Sequence, residues 1–395
     1  MDMKERLSNF HLSRPRPDYA AAGDFTRVFS ILFVAWYHIW QQSWLAPRLE
    51  LGGFALDFSS QVRAGYMFVD LMLLLSGFLT YLPYANKKER PAGEFFLRRA
   101  ARILPSYWFC IAVMLVFALT DPDFSDAERL VKDLLTHLTF THNFQAYSYT
   151  MTRLNVVLWT LAVEVQFYLI LPALAPAFRK YPIGCYLGMV AAALAFRNLW
   201  TAPMEDTTLF VNRLPNMLDV YANGMLAAHF YVKLARRKDH RALIAALGTV
   251  AMIAAGWLVW RIVFWQSRAS GYEALRHGQM NWRWPLSACG AVFLLGGSLS
   301  FRPVRALLSN RVTRFLAGIS FNFYIWHQWL AVKLKAWRIP QYAAESNPNM
   351  EGEMPWQLNY SLLCFAFAFL VAVAITYLLE KPAADRLRAL ALRKR

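Results

Sequence analysis

Charged residues and cysteines are both scarce in this chain of 395 residues. Only 17% of the residues are charged and 57% are hydrophobic, whereas soluble domains carry about 25% charged residues. This composition argues against a soluble globular protein and indicates a membrane protein. The cysteines form no CxxC pair and show no metal-ligand spacing, which argues against a disulfide framework and a zinc site, so we expect no metal. They are Cys110, Cys185, Cys289 and Cys364.

The sequence also shows no cleavable signal peptide, internal repeat, low-complexity linker or appended soluble domain. The first apolar segment contains Arg27 and His38 and lacks a small-residue cleavage pattern after it, so it is interpreted as a retained signal anchor. The expected organisation is a cytoplasmic tail over 1–24, a transmembrane domain over 25–380 and a basic cytoplasmic tail over 381–395.

Ten segments have the roughly 20 mostly apolar residues that a membrane span needs. With both termini in the cytoplasm, the cytoplasmic segments hold 27 of the 42 Lys and Arg residues and the opposite side holds 12. Cytoplasmic loops are enriched in Lys and Arg, so the count favours ten spans, with eight or twelve as alternatives. The net charge of +17 is then explained by topology, and we expect no nucleic acid partner. The spans are 25–45, 64–85, 103–120, 154–178, 182–202, 214–232, 242–265, 284–301, 315–332 and 358–380.

One polar segment, 125–140, has the pattern of an amphipathic helix. Ser125 and Glu128 have capping-box spacing, with Asp126 in the first turn. Its leucines and valine form a helical stripe, and Asp133 is among the charged residues assigned to other faces. We predict an interfacial helix on the outer membrane surface. The predicted fold is therefore an all-α integral membrane protein with about ten transmembrane helices, located in the plasma membrane of a bacterium and embedded in its lipid.

Several ionisable residues lie inside the predicted spans. A charge at the bilayer centre costs at least ~2.5 kcal/mol, so each of these residues needs a functional or structural reason. One reason is catalysis or transport, and the other is interhelical pairing worth only about 1 kcal/mol. The main candidates are Arg27, His38, Asp70, Glu164, Asp219 and His327.

Arg27 and His38 are eleven residues apart, close to three helical turns, so both lie on one face of the first helix. At ~1.5 Å per residue they are separated by about 16 Å along the helix axis. Counting from the span ends places His38, Asp70, Glu164 and His327 in one layer, roughly 8–15 Å below the outer surface. One face of the first helix thus connects the cytoplasmic side to a deep imidazole.

A second basic feature is FFLRRAARILPSYW, residues 95–108. Arg99 and Arg102 are three residues apart and share a helix face, and Arg98 lies beside them. Arginine forks match phosphate oxygens, although an anchor of the positive-inside type would show the same residues. Together with Arg27, they favour a phosphate-bearing ligand at the cytoplasmic side.

Five segments in this order resemble the acyltransferase family 3 of integral-membrane proteins, over nearly the whole chain. Its first helix has ten residues between an Arg and a His, as here between Arg27 and His38. The other segments resemble the family's second helix, its Arg-x-x-Arg motif, its tryptophan–glutamate–phenylalanine–tyrosine–proline block and its penultimate helix. The segments are TRVFSILFVAWYH, GYMFVDLMLLLSGFL, FLRRAARILPSYW, LWTLAVEVQFYLILP and ISFNFYIWHQWL.

The resemblance implies a transfer of acyl groups, usually acetyl, from cytoplasmic acyl-coenzyme A to hydroxyls of glycans or small molecules. It implies that Arg27 and His38 are essential and that Arg99 and Arg102 serve the donor. Some members carry an extracytoplasmic esterase-like domain, so this chain either acts directly or uses a separate partner there. The candidate acceptor-binding residues are Trp159, Tyr324 and His327.

These features give a mechanistic hypothesis. The arginines bind the coenzyme A phosphates, the pantetheine arm follows the first helix, and His38 acts as general base, with Asp70 or Glu164 at its other nitrogen. A covalent acyl-histidine is the variant. The alternatives are a transporter with an intramembrane relay, which would be expected to show inverted repeats, and a non-catalytic scaffold, which has no need for Arg27 and His38 on one face.

Overall fold

The computed structural model describes residues 19–393, except 46, 90, 122–124, 343–348 and 350–353. Most of the predicted tail 1–24 therefore lies outside the described residues, as do residues 394 and 395. The described chain is almost entirely helical. The first eight helices are α1 Tyr19–Ser43, α2 Ser59–Arg63, α3 Phe68–Ala85, α4 Ala92–Leu119, α5 Ala127–Leu138, α6 Ala146–Tyr149, α7 Trp159–Lys180 and α8 Pro182–Ala195. The others are α9 Thr208–Val211, α10 Leu218–Ala235, α11 Arg241–Gln266, α12 Tyr272–Leu299, α13 Arg302–Leu308, α14 Arg311–Ala336, α15 Met354–Ile375 and α16 Lys381–Arg393.

A long helix lies at each of the ten predicted spans, and short 3₁₀ or π segments extend several of them. Six helical stretches in the described ranges are both long and apolar enough to cross a membrane. These are Gly65–Ala85, Ala92–Leu119, Val156–Lys180, Pro182–Thr201, Arg241–Gln266 and Pro355–Leu387. The protein is therefore a helical, multi-pass membrane protein. The count of ten spans and the side of each terminus remain predictions.

Helix α1 lies at the centre of the helical packing. It contacts α3, α12, α14 and α15, so its side chains face several neighbours at once. Glycines allow close approach of other helices: a Cβ on Gly224 of α10 would lie 2.1 Å from the Leu74 carbonyl oxygen of α3. A Cβ on Gly77 of α3 would in turn lie 2.7 Å from the Tyr221 carbonyl oxygen. Small residues commonly bring membrane helices together in this way.

Helix α5 confirms the predicted amphipathic element but corrects its cap and its faces. The N-cap is Asp126, whose carboxylate accepts a hydrogen bond from the Arg129 backbone N–H at 2.8 Å, rather than Ser125. Asp133, predicted on a face away from the apolar stripe together with the other charged residues, is buried. The physical reason is a pair of polar partners, because its carboxylate lies 3.0 Å from His137 Nδ1 and accepts from the Thr152 hydroxyl at 2.7 Å. Apolar residues of the predicted stripe, including Val131 and Leu135, are exposed.

A small hairpin departs from the all-α prediction. Strand β1, Arg48–Leu51, pairs antiparallel with strand β2, Phe54–Asp57. Gly52 and Gly53 form the turn with φ of 51° and 90°, a left-handed region that glycine adopts without steric cost. The hairpin follows α1 in the predicted outer loop 46–63.

Candidate active site

A cavity of about 150 Å³ brings together side chains from α1, α3, α4, α7 and α14. Five of the residues predicted for the site line it. Arg27 comes from α1, and both Arg99 and Arg102 come from the first half of α4. Glu164 of α7 and Tyr324 of α14 line it as well.

The three arginines leave a concentration of positive charge at this cavity. Arg27 is repelled by Arg102 and attracted by the carboxylates of Asp24 and Glu164. Among the described residues, neither arginine forms a hydrogen bond or ion pair. Arg99 lies over the Phe95 and Tyr168 rings, 5.5 Å and 5.2 Å from their centroids. Partly buried guanidinium groups that form no hydrogen-bonded ion pair are costly, so this cavity is suited to an anionic ligand.

Glu164 accepts its hydrogen bonds from hydroxyl groups in the same cavity, and it also attracts Arg27 electrostatically. The Ser76 hydroxyl donates to its carboxylate at 2.7 Å, and the Tyr168 hydroxyl donates to the same oxygen. Sequence reasoning did not single out Ser76 or Tyr168. Tyr168 could have been found, because it follows Glu164 by four residues and such pairs share a helix face.

His38 lies outside this cavity, half-buried near the outer end of α1. Its Nδ1 is 3.0 Å from the Gln41 side-chain oxygen, and the Gln41 amide nitrogen donates to the Tyr37 hydroxyl at 2.9 Å. The ring of His327, from α14, has its centroid 5.2 Å from that of His38. The two imidazoles therefore meet, although their sequence positions differ by almost 290 residues.

Tyr324 and His327 connect the cavity to His38. Tyr324 lines the cavity, and its carbonyl oxygen accepts a hydrogen bond from Nδ1 of the buried His327 at 2.6 Å. The ring centroids of Tyr324 and His327 are 5.5 Å apart. A continuous set of contacts thus leads from the arginines through Tyr324 and His327 to His38.

Asp70 is placed differently from the prediction. Its carboxylate is 3.1 Å from Nε of Arg283, and both side chains are buried. Neither Asp70 nor Glu164 is among the described contacts of His38, because Arg283 pairs with Asp70 while Ser76 and Tyr168 bind Glu164. The four residues predicted to share one layer therefore do not form one cluster. Sequence counting missed Arg283 because it placed this residue in an outer loop, whereas α12 begins eleven residues earlier.

Two predicted site residues have other surroundings. Arg98 is exposed and pairs with Glu94 one turn earlier at 2.8 Å, so it does not line the cavity. Trp159 packs its ring 6.3 Å from that of Tyr149 at the start of α7. Within the described ranges, no three His, Cys, Asp or Glu side chains are grouped in a way that could hold a metal ion.

The family model described as "Acyltransferase domain" matches residues 21–381. The chain belongs to this acyltransferase family. Membership confirms the resemblance found in the sequence and supports the enzyme class that it implied.

Curated relatives include Nodulation protein 10 of Rhizobium leguminosarum bv. viciae, 30% identical over 47% of this chain and 52% of the relative. Exopolysaccharide production protein ExoZ of Rhizobium meliloti (strain 1021) is 24% identical over 66% of this chain and 74% of the relative. O-acetyltransferase OatA of Staphylococcus aureus (strain NCTC 8325 / PS 47) is 27% identical over 40% of this chain and 24% of the relative. The match thus spans about half of the first relative and a quarter of the third. No solved structure matches the chain significantly.

Proposed function

We propose that this protein is a membrane O-acyltransferase that moves an acyl group, acetyl in the first instance, from acyl-coenzyme A to a hydroxyl of a cell-envelope glycan. Family membership supports the reaction class. Two relatives carry names that refer to O-acetyl transfer and exopolysaccharide production, which supports the acetyl donor and the glycan acceptor. In this proposal the protein lies in the bacterial plasma membrane, takes the donor from the cytoplasmic side and modifies an acceptor on the extracytoplasmic side. It acts on the acceptor directly or through a separate acyl-handling partner.

The donor end of the proposed site is the arginine-lined cavity. Coenzyme A carries phosphates, and guanidinium groups bind phosphate oxygens through charge-assisted hydrogen bonds. Arg27, Arg99 and Arg102 form no hydrogen bond or ion pair with a described residue, so a phosphate would bind them without breaking an existing ion pair. These three residues would hold the charged part of the donor at the end of the cavity nearest the start of α1.

The reactive end is the His38–His327 pair. His38 accepts the proton of the acceptor hydroxyl, whose oxygen attacks the thioester carbonyl, and the carbon–sulfur bond breaks to release the coenzyme A thiolate. In the covalent variant, His38 itself receives the acyl group before the acceptor does. Tyr324, His327 and Trp159 would contact the thioester or the acceptor. Asp70 and Glu164 would support this chemistry through the packing of α3 and α7 rather than by contact with His38.

The observation that carries the proposal is the convergence of three arginines without ion-pair partners among the described residues on one cavity, whose lining residue Tyr324 contacts the histidine pair through His327. It is tested by binding of labelled acetyl-coenzyme A to purified protein in nanodiscs. Arg102→Ala should raise Kd about 10- to 100-fold, because hydrogen bonds to charged groups contribute ~1.5–3 kcal/mol. Arg98→Ala is the matched comparison and should raise Kd less. Equal effects of the two substitutions on Kd would show that the cavity is not the donor site.

A further inference from the structure

We propose that Gln41 is a positioning residue that holds His38 in a single tautomer and thereby makes Nε2 the reactive nitrogen. This inference rests on the proposed function, because it specifies how the general base is oriented. It concerns one turn of α1, from Tyr37 to Gln41.

The hydrogen bonds of this turn have a defined direction. The Gln41 amide nitrogen donates to the Tyr37 hydroxyl at 2.9 Å, which turns its carbonyl oxygen toward Nδ1 of His38, 3.0 Å away. An amide oxygen only accepts, so Nδ1 must carry the hydrogen. A neutral imidazole with a hydrogen on Nδ1 has its lone pair on Nε2.

Nε2 of His38 is available for that role. His38 is half-buried, and no described residue forms a hydrogen bond with its Nε2. His327 does not supply the orientation, since its Nδ1 donates to the Tyr324 carbonyl oxygen and its own Nε2 is then an acceptor as well. The two ring centroids are 5.2 Å apart. Nε2 of His327 is buried, so Nε2 of the half-buried His38 is the nitrogen suited to take the proton of a hydroxyl.

A second set of contacts keeps Tyr37 in place. The Tyr37 and Tyr66 ring centroids are 5.2 Å apart. The buried Gln266 of α11 donates from its amide nitrogen to the Tyr66 hydroxyl at 2.8 Å and to the Leu275 carbonyl oxygen at 3.0 Å. Because that nitrogen is bound to a carbonyl oxygen, the Gln266 amide cannot be reversed. The Tyr37 ring, which accepts the Gln41 hydrogen bond through its hydroxyl, is thus packed against a set of contacts that connects α1 to α11 and α12.

Steady-state acetyl transfer by purified Gln41→Leu, Gln41→Glu and Gln42→Leu tests the inference. Gln41→Leu should lower kcat by on the order of 10- to 100-fold, as loss of an orienting partner does, while the KM for acetyl-coenzyme A stays unchanged. Gln41→Glu keeps an acceptor beside Nδ1 and should restore kcat. Gln42→Leu alters the neighbouring residue, whose side chain has no hydrogen bond to a described residue, and should behave as wild type.

The pH profile adds a readout that a merely structural role would not change. His38 faces Tyr37 on its own helix and His327 from α14. A carboxylate at position 41 stabilises the imidazolium, so the acid limb of the Gln41→Glu profile should move to higher pH. Wild-type kcat in Gln41→Leu, or Gln41→Glu as inactive as Gln41→Leu, would overturn this inference alone. Wild-type transfer by His38→Ala would instead overturn the proposed function.

Discussion

At the residue scale, the sequence identifies the ionisable side chains that lie inside predicted membrane spans. It does not identify the residues with which they interact. Asp70 and His38 were expected in one layer, and depth along each helix was the only available measure. The structure pairs Asp70 with Arg283 and His38 with Gln41. The Gln41 contact is local, at i and i+3, and could have been predicted from helix geometry. The Asp70–Arg283 contact joins α3 to α12 and depends on tertiary packing.

The Asp70–Arg283 pair yields the first prediction. Asp70→Asn leaves a buried guanidinium without its carboxylate, which should destabilise the fold by ~3–5 kcal/mol. Asp70→Asn with Arg283→Met should recover part of that loss, because no unpaired charge remains. Thermal unfolding followed by fluorescence-detected size-exclusion chromatography measures both. An Asp70→Asn protein of wild-type stability without activity would favour the catalytic role predicted from the sequence.

His142, in the segment after α5, gives a pH-dependent prediction. Burial and the neighbouring His137, whose ring stacks 3.9 Å away, lower the pKa of His142 to about 3. The unfolded chain then binds more protons between pH 6.5 and 3, so stability falls as pH falls through that window. Between pH 7 and pH 5 the free energy of unfolding should decrease by about 2 kcal/mol. His142→Phe should flatten this dependence in thermal unfolding at the two pH values. An unchanged slope would exclude His142 as its source.

At the element scale, apolar runs predicted where helices lie but not where they begin. Predicted spans 103–120 and 284–301 correspond to α4, which starts at Ala92, and α12, which starts at Tyr272. Both helices begin with a polar stretch that a hydrophobicity count excludes. These stretches carry Arg99 and Arg102 to the cavity and Arg283 to Asp70. The helical turns that the apolar pattern omits therefore contribute these three charged side chains.

The crossing of α3 and α10 gives an element-scale prediction. Gly224→Ala would place a Cβ 2.1 Å from the backbone oxygen of Leu74, so the two helices must separate. The unfolding temperature should fall, because overpacking typically lowers the free energy of unfolding by about 1–3 kcal/mol. Gly188→Ala in α8 is the matched control, since nothing lies within 4 Å of its Cβ, and it should be neutral or slightly stabilising. Equal effects of the two substitutions would contradict the close crossing.

At the scale of the whole molecule, the spacing of residues along a single helix predicted more of the candidate site residues than the amino-acid composition did. Arg27 and His38 share a face of α1, as their spacing predicts. The neighbours that complete the candidate site, Arg102 beside Arg27 and His327 beside His38, come from α4 and α14. No pattern within one segment gives such pairs, because they depend on how ten long helices pack. The sequence thus predicted the residues at both ends of the candidate site, whose role in catalysis remains a prediction, while the contacts between them required the structure.

Membrane topology gives the whole-molecule prediction. The Lys and Arg distribution predicts that both termini are in the cytoplasm. A C-terminal green fluorescent protein fusion should be fluorescent, and a C-terminal alkaline phosphatase fusion should be inactive, in bacterial cells. A phosphatase fusion at residue 205, in a predicted outer loop, should be active and serves as the control. The reverse pattern would invert the proposed sides of donor and acceptor.

The central claim is that His38 acts on the thioester of a donor. That donor is held by Arg27 of α1 and by two arginines of α4, Arg99 and Arg102. The most direct measurement is coenzyme A release from acetyl-coenzyme A by purified protein with an acceptor polysaccharide, for the wild type beside His38→Ala. The account predicts release and acetylation by the wild type, and loss of both in a folded His38→Ala protein that still binds the donor. Undiminished release by His38→Ala would contradict it.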